Sequence, residues 1–171
     1  MYSPSHDSII LLDSLQYRFS DKVIELGVGS GFIISKVRCD FPVGTDIDID
    51  SLYYARINLN DNIELVLCDS AEPFRDDSFD VAFFNPPYLP GKIEDDPKVI
   101  GGEDGATIPS RMLNSALRVV KNYGIIFFVL SSYTSRTKVF DESMLKGKVQ
   151  IISKVKLFFE TLYVYMVQVR K

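Results

Sequence analysis

Short apolar runs rich in valine and isoleucine recur along the chain, and amphipathic or turn-rich stretches separate them. Apolar strands alternating with helical patterns predict βαβ units around a mainly parallel sheet. The runs place strands at about 22–26, 43–47, 63–68, 80–84 and 124–131, then two more at about 148–155 and 160–169. The last two leave no room for a helix between them, which predicts a hairpin with one strand antiparallel to the rest. Helices are predicted over about 6–17, after Gly31, from Ser51 to about Leu59, and from Ser110 to Lys121, where Gly124 supplies a stop. The predicted fold class is α/β, with seven mostly parallel strands and no repeat, linker or low-complexity tract.

Leu89 to Pro109 departs from this economy. It carries Gly91, Gly101, Gly102 and Gly105 with Pro90, Pro97 and Pro109 and shows no period. Loops this long in compact domains tend to be functional or mobile. This one is a candidate substrate rim, the alternative being a disordered excursion.

Composition narrows the class. A chain of 171 residues is one domain's worth, 1–171, long enough to bury a core without disulfides or metals. The longest uninterrupted apolar run, Ile125 to Leu130, is far short of the roughly 20 residues that a bilayer span needs. Met1 opens onto polar residues rather than a basic region and an apolar stretch, so the expected location is the cytoplasm, with no membrane partner. A net charge of −4 and a pI near 5.0 leave no footprint for a phosphate backbone, making nucleic acid the less favoured partner. Arg136, Lys138, Lys146 and Lys148 are the local basic cluster to check. Cys39 and Cys68 lack CxxC spacing and the chain has one histidine, so no metal site or disulfide framework is predicted.

The first strand runs into E-L-G-V-G-S-G, Glu25 to Gly31, with glycines at 27, 29 and 31. Glycine lets backbone approach a ligand and take positive φ at the strand-to-helix turn, the cofactor position of an open α/β sheet. A dinucleotide fingerprint needs its third glycine where Phe32 stands, which weakens a nicotinamide reading. The second strand ends G-T-D-I-D, putting Asp46 where it can accept from both ribose hydroxyls and Ile47 where it can cover an adenine face. The third ends L-C-D-S, bringing Asp69 and Ser70 toward an adenine's exocyclic amine. Each acid alone reads equally as a solvated carboxylate. Their coincidence at strand ends points to a nucleoside cofactor.

The fourth strand ends F-F-N-P-P-Y. Proline donates no backbone hydrogen bond and fixes its φ, so the strand stops at Asn85 and the chain continues rigid and extended. The Asn85 amide oxygen and the Pro86 carbonyl are acceptors, and positions 86 and 87 have no N–H, so the turn is suited to gripping an NH₂. The ring of Tyr88 can stack on the amine's planar carrier, a carboxamide or a base. Conjugated amide nitrogens are poor nucleophiles, so the chemistry needs a strong electrophile, close placement and electrostatic support. A sulfonium methyl donor supplies the electrophile without any side-chain nucleophile. A plain turn is the competing account of N-P-P, but it leaves the flanking Asn and Tyr unexplained.

With these motifs, the sequence resembles a class I S-adenosylmethionine-dependent methyltransferase. It is similar, more narrowly, to the HemK-related protein-glutamine N5-methyltransferases with an N-P-P-Y motif, in the eukaryotic and archaeal branch that modifies class 1 translation release factors. YSPSHDSIILLDSL at the start, GGEDGATIPSRML in the middle and FFETLYV near the end carry the closer likeness, which spans most of the chain. The resemblance implies a Rossmann-like fold, a seven-stranded sheet with helices on both faces. It places S-adenosylmethionine among Glu25, Gly27, Gly29, Gly31, Asp46, Ile47, Asp69, Ser70 and Asn85, with Asp7 and Ser8 over its amino-acid end. Asn85, Pro86, Pro87 and Tyr88 would hold the glutamine of the release factor's Gly-Gly-Gln loop. Members of this branch often pair with a small zinc-binding activator protein along a sheet edge or apolar face. Bacterial-type members add an N-terminal helical substrate domain, for which this chain has no room. His6 stands where an acid is common and is read as a solvent-exposed residue.

Two alternatives stay open at this level. N-P-P-Y is shared with methyltransferases of adenine or guanine exocyclic amines in RNA or DNA, which a basic groove leading to Tyr88 would favour. A non-catalytic cofactor-binding scaffold would be expected to lack some site residue. Tyr53, Tyr54, Tyr163 and Tyr165 are read as helix and sheet packing, and Glu94, Asp95 and Asp96 as a solvated loop.

Overall fold

Strands apolar on both faces must lie inside a sheet covered on both sides. The computed structural model describes residues 6–15, 19–140 and 147–171, and it assembles the apolar runs in this way. Strands β1 (Phe19–Leu26), β2 (Cys39–Asp46), β3 (Glu64–Leu67), β4 (Phe79–Phe84), β5 (Val120–Ser131), β6 (Lys148–Lys156) and β7 (Thr161–Gln168) form one sheet in the order β3-β2-β1-β4-β5-β7-β6. The pairs from β3 to β5 are parallel, and β7 runs antiparallel to both β5 and β6, as the hairpin expectation required. Helices α1 (His6–Ser14), α2 (Ile49–Asn58), α3 (Thr107–Val119) and the single turn α4 (Arg136–Val139) pack around it.

The core is one contiguous cluster in which Val23, Ile24 and Leu26 of β1, Phe83 and Phe84 of β4, and Phe128 of β5 are wholly buried. Phe84 stacks on Phe128 with centroids 5.0 Å apart, and Phe128 on Tyr165 at 5.5 Å, stitching β4, β5 and β7 together through offset rings. Register then decides where the site falls. Leu26 lies beside both Thr45 and Phe84, and Asp46 beside Leu67. The residues after β1, β2, β3 and β4 therefore leave the sheet at one edge, around the point where strand order reverses about β1.

Three expectations need correction. Where a helix was predicted after Gly31 there is one 3₁₀ turn, Ile34–Lys36, because the chain enters β2 at Cys39 and has no length for more. Helix α3 ends at Val119 and β5 begins at Val120, so Gly124 is no helix stop. It lies inside the strand, where an added Cβ would come within 2.6 Å of the Asp80 carbonyl. Tyr53, predicted to pack, is 72% exposed, whereas Tyr165 is buried as expected. Positions 16 and 17 of the first predicted helix, and Lys146 of the basic cluster, lie outside the described residues.

The 89–109 segment is an ordered rim. Leu89 and Ile100 form a parallel bridge, Gly101 N–H donates to the Leu89 carbonyl at 2.9 Å, and Gly91 N–H to the Gly102 carbonyl at 2.9 Å. Two glycines explain why it packs so tightly onto the N-P-P-Y backbone. A Cβ on Gly101 would stand 2.4 Å from the Pro87 carbonyl oxygen, and one on Gly105, at φ +71°, 2.2 Å from that of Tyr88.

Candidate active site

A cleft of about 780 Å³ opens at the carboxyl edge of the sheet. It is lined by Asp7, Ser8, Glu25, Gly27, Gly29, Asp46, Ile47, Asp69, Ser70, Asn85, Pro86, Pro87 and Tyr88, so it gathers all the candidate residues but one. Gly31 stands outside the lining. A Cβ there would meet the Leu59 side chain at 2.8 Å, so its smallness serves helix and turn packing.

The glycine turn and the first two acids form one unit. Gly29 N–H donates to Asp46 Oδ2 at 2.9 Å, and Asp48 N–H to Asp46 Oδ1 at 3.0 Å. The carboxylate is thereby aimed while keeping lone pairs toward the cleft. Glu25 is buried and accepts the Ile34 N–H at 3.0 Å. Burial pushes its carboxyl well above the ordinary value of 4.5, Ile34's bond works against this, and nearby Asp46 adds to it. On the far side, Asp69 accepts from Ser70 Oγ at 2.9 Å and pairs with Arg111 at 3.3 Å. Ser70 takes a left-handed φ of +52°, its carbonyl held by the Thr45 hydroxyl at 2.7 Å. Such a conformation in a residue with a Cβ persists only when its surroundings over-determine it.

The N-P-P-Y turn is held at both ends. The Tyr88 hydroxyl donates to Asp7 Oδ2 at 2.9 Å, and its carbonyl accepts from Thr134 Oγ1 at 2.9 Å. Asn85 Oδ1, in contrast, is buried and has no hydrogen-bond partner among the described residues. A buried acceptor left unmade costs about 1–3 kcal/mol, and Asn85 lines the cleft, so this orphan calls for a donor from outside the protein.

Several lining residues carried no sequence signal of their own. Lys98, from the rim, reaches across to Asp48 at 3.3 Å. Tyr54, read as packing, lines the cleft, as do Ile93, Val99 and Met112. Thr134 was likewise invisible, its role arising only because α4 follows β5 beside Tyr88. Arg111 had a signal as the arginine of the S-R-M-L segment, and Ile93, Lys98 and Val99 fall in the 89–109 stretch read as a candidate rim. His6 is exposed, as expected.

A sheet of this order with glycines and acids at its switch point, and a rigid acceptor-bearing turn beside them, defines a Rossmann-like enzyme that uses a nucleoside cofactor. Comparison with known proteins gives the family. Residues 5–159 match the methyltransferase small domain model. A Methanocaldococcus jannaschii protein named as a protein N5-glutamine methyltransferase is 33% identical over 179 residues, covering 96% of this chain and 89% of that one. The release factor glutamine methyltransferase of Caulobacter vibrioides is 29% identical over 72% of this chain, which spans about half, 51%, of that longer protein. Among solved structures, Mtq2 from the E. cuniculi Mtq2–Trm112 complex, responsible for methylating the eRF1 termination factor, superposes with a TM-score of 0.79 at 25% identity, covering 98% of both chains.

The chain belongs to the methyltransferase small domain family. It is a methyltransferase, and its family and fold imply S-adenosylmethionine as the methyl donor. The residues present fit that group. At Gly29, with φ +52°, an added Cβ would meet nothing within 4 Å, so bare backbone faces open cleft between the acids of β1 and β2. Among the described residues no helix is long and apolar enough to cross a membrane.

Proposed function

We propose that the chain methylates the side-chain amide nitrogen (N5) of a glutamine in a protein acceptor, the Gly-Gly-Gln loop of a translation release factor. The orphaned Asn85 Oδ1 carries this reading, since a primary carboxamide brings the N–H that it lacks. The names of the relatives support glutamine as the carrier of that amide.

Charge supports a protein acceptor over an exocyclic base amine. Besides the buried Glu25, the cleft lining includes Asp7, Asp46, Asp48, Asp50 and Asp69, while Lys98 and Arg111 are paired with Asp48 and Asp69. Of the basic cluster, Lys138 is bound to Asp104, and Arg136 lies 5.2 Å over the Tyr163 ring and donates to Tyr165 Oη. A polyanion finds no basic path to Tyr88 among these groups.

When bound, S-adenosylmethionine supplies a sulfonium methyl, an electrophile strong enough for a weakly nucleophilic amide. Asp46 would hold its ribose, Asp69 and Ser70 its adenine side with Ile47 over the ring, and Glu25, Asp7 and Ser8 its amino-acid end, along the Gly27 to Gly29 backbone. Asn85 Oδ1 and the Pro86 carbonyl accept the two amide hydrogens of the glutamine. Those bonds strengthen as positive charge develops on the nitrogen, which favours the transition state over the ground state. Pro86 and Pro87 keep competing N–H donors out of the turn. Tyr88, pinned through its hydroxyl and its carbonyl, offers a fixed ring against the carboxamide plane.

The small zinc-binding activator that the resemblance implies would dock at the β3 edge, and the E. cuniculi neighbour is itself in complex with Trm112. That strand has four residues and a side unpaired among the described residues, and Leu67, Ile49, Tyr53 and Ile57 around it are 54%, 58%, 72% and 67% exposed.

The test is methyl transfer from radiolabelled S-adenosylmethionine to a cognate release factor, run beside a Gln-to-Ala version of its Gly-Gly-Gln loop and beside total tRNA, rRNA and DNA. Label on the wild-type factor that disappears in the Ala version is the expected result. Label on nucleic acid alone would reassign Asn85 and Tyr88 to a base pocket.

A further inference from the structure

A second groove, about 480 Å³, is lined by Leu89, Pro90, Tyr133, Leu157, Phe158 and Phe159 with Glu160. Phe158 and Phe159, in the β6–β7 turn, are 92% and 80% exposed and meet edge to face with centroids 4.8 Å apart. Large rings so exposed usually sit on loose loops. Here they are held out by a pinned turn. Leu157 N–H donates to the Glu160 carbonyl at 2.8 Å, Ser131 Oγ to Glu160 Oε2 at 2.6 Å, and the Tyr133 hydroxyl to the Phe159 carbonyl.

Topology puts this turn at the edge of the sheet that holds the cleft. Because β7 is antiparallel to both β5 and β6, β6 runs with β5, and its carboxyl end emerges beside those of β4 and β5. The groove is also continuous in sequence with the N-P-P-Y turn. Leu89 and Pro90 follow Tyr88, and Tyr133 precedes Thr134, whose hydroxyl holds the Tyr88 carbonyl. A folded acceptor that presents a side chain to Tyr88 must cover this neighbouring surface. The β3 edge, at the opposite end of the strand order, stays free for a different protein.

We infer that the Phe158–Phe159 turn and the groove it frames are the docking surface for apolar side chains of the methyl-acceptor protein, a substrate-affinity site distinct from the residues that hold the amide. This rests on the glutamine reading above. Aromatic pairs exposed on a rigid support bind with little ordering penalty, which suits them as anchors.

The test is steady-state methylation of full-length release factor by the full chain, with its activator where one is required, comparing wild type, F158S/F159S and F158L/F159L. The serine variant should raise KM for the release factor about tenfold or more, the scale of losing a two-ring anchor. Its kcat and S-adenosylhomocysteine affinity should stay unchanged, and the leucine variant should recover most of the KM. A wild type active on the glutamine with an unchanged KM in F158S/F159S overturns the docking surface and leaves the site reading standing. Lost S-adenosylhomocysteine affinity in that variant overturns it by making the rings structural. A wild-type dimer that the variant dissolves, with KM unchanged, overturns it by assigning the turn to a second copy. A wild type that never labels release factor overturns the glutamine reading and this inference together.

Discussion

The hydroxyl of Tyr88 donates to Asp7 Oδ2 at 2.9 Å in the buried interior, joining the N-P-P-Y turn to the first turn of α1 across 81 positions of sequence. Asp7 is 2% exposed and also accepts the Ser8 N–H at 2.7 Å, so the carboxylate is itself anchored. The tyrosine ring is oriented by a helix that shares no strand with it.

Removing Asp7 should therefore act through Tyr88. Asp7→Ala leaves the buried hydroxyl short of its acceptor, a loss of about 1–3 kcal/mol, and adding Tyr88→Phe to that background should recover part of it. Urea unfolding of the four members of this double-mutant cycle measures the coupling. Strictly additive effects would show the pair to be independent.

Asn85 should separate activity from stability. Its Oδ1 is buried and unpartnered among the described residues, so Asn85→Ala removes an unsatisfied acceptor and should leave Tm equal or higher. Turnover should fall about 10²–10³-fold, as when one preorganised hydrogen bond to developing charge is removed. A clear drop in Tm would mean that the amide already has a structural partner.

Glu25 should make stability fall with pH in a defined window. Below 4.5 the carboxyl is protonated in folded and unfolded chains alike, and its full contribution is present. Above 4.5 the unfolded chain ionises while burial keeps the folded carboxyl protonated, so stability declines until pH passes the raised folded value. Glu25→Gln should be free of that decline, and its stability relative to wild type should grow with pH across the window. Denaturant midpoints for both proteins at a series of pH values test this, and a difference constant in pH would refute it.

Gly105 should prove intolerant of a side chain. A Cβ at φ +71° would stand 2.2 Å from the Tyr88 carbonyl oxygen, which Thr134 also holds. Gly105→Ala should destabilise by roughly 1–3 kcal/mol and lower turnover by moving Tyr88, while S-adenosylhomocysteine affinity, most of whose proposed contacts lie at the β1 to β3 ends, is largely retained. Calorimetric titration together with thermal unfolding distinguishes this from general damage. An unchanged Tm would mean that the rim yields without disturbing the turn.

What the sequence alone determined was local in origin. Seven strands, the antiparallel final hairpin, the Gly27 to Gly31 turn, Asp46 and Asp69 at strand ends and the Asn85 to Tyr88 turn follow from short-range pattern, because burial on two faces and the loss of N–H donors act within a few residues. Where that pattern was ambiguous it misled, as at Gly124, a glycine that looked like a helix stop and is instead packed against Asp80 within β5.

The tertiary structure decided which of these ends meet, and what else joins them. Asp7 on Tyr88, Thr134 on the Tyr88 carbonyl 46 positions away, and Lys98 on Asp48 50 positions away all depend on strand order and on the course of the 89–109 rim. Hydrophobic periodicity tells a residue which face to bury, but carries no information on which strand lies next to it. The order β3-β2-β1-β4-β5-β7-β6, a property of the folded sheet, turned scattered acids, glycines and one asparagine into a single cleft.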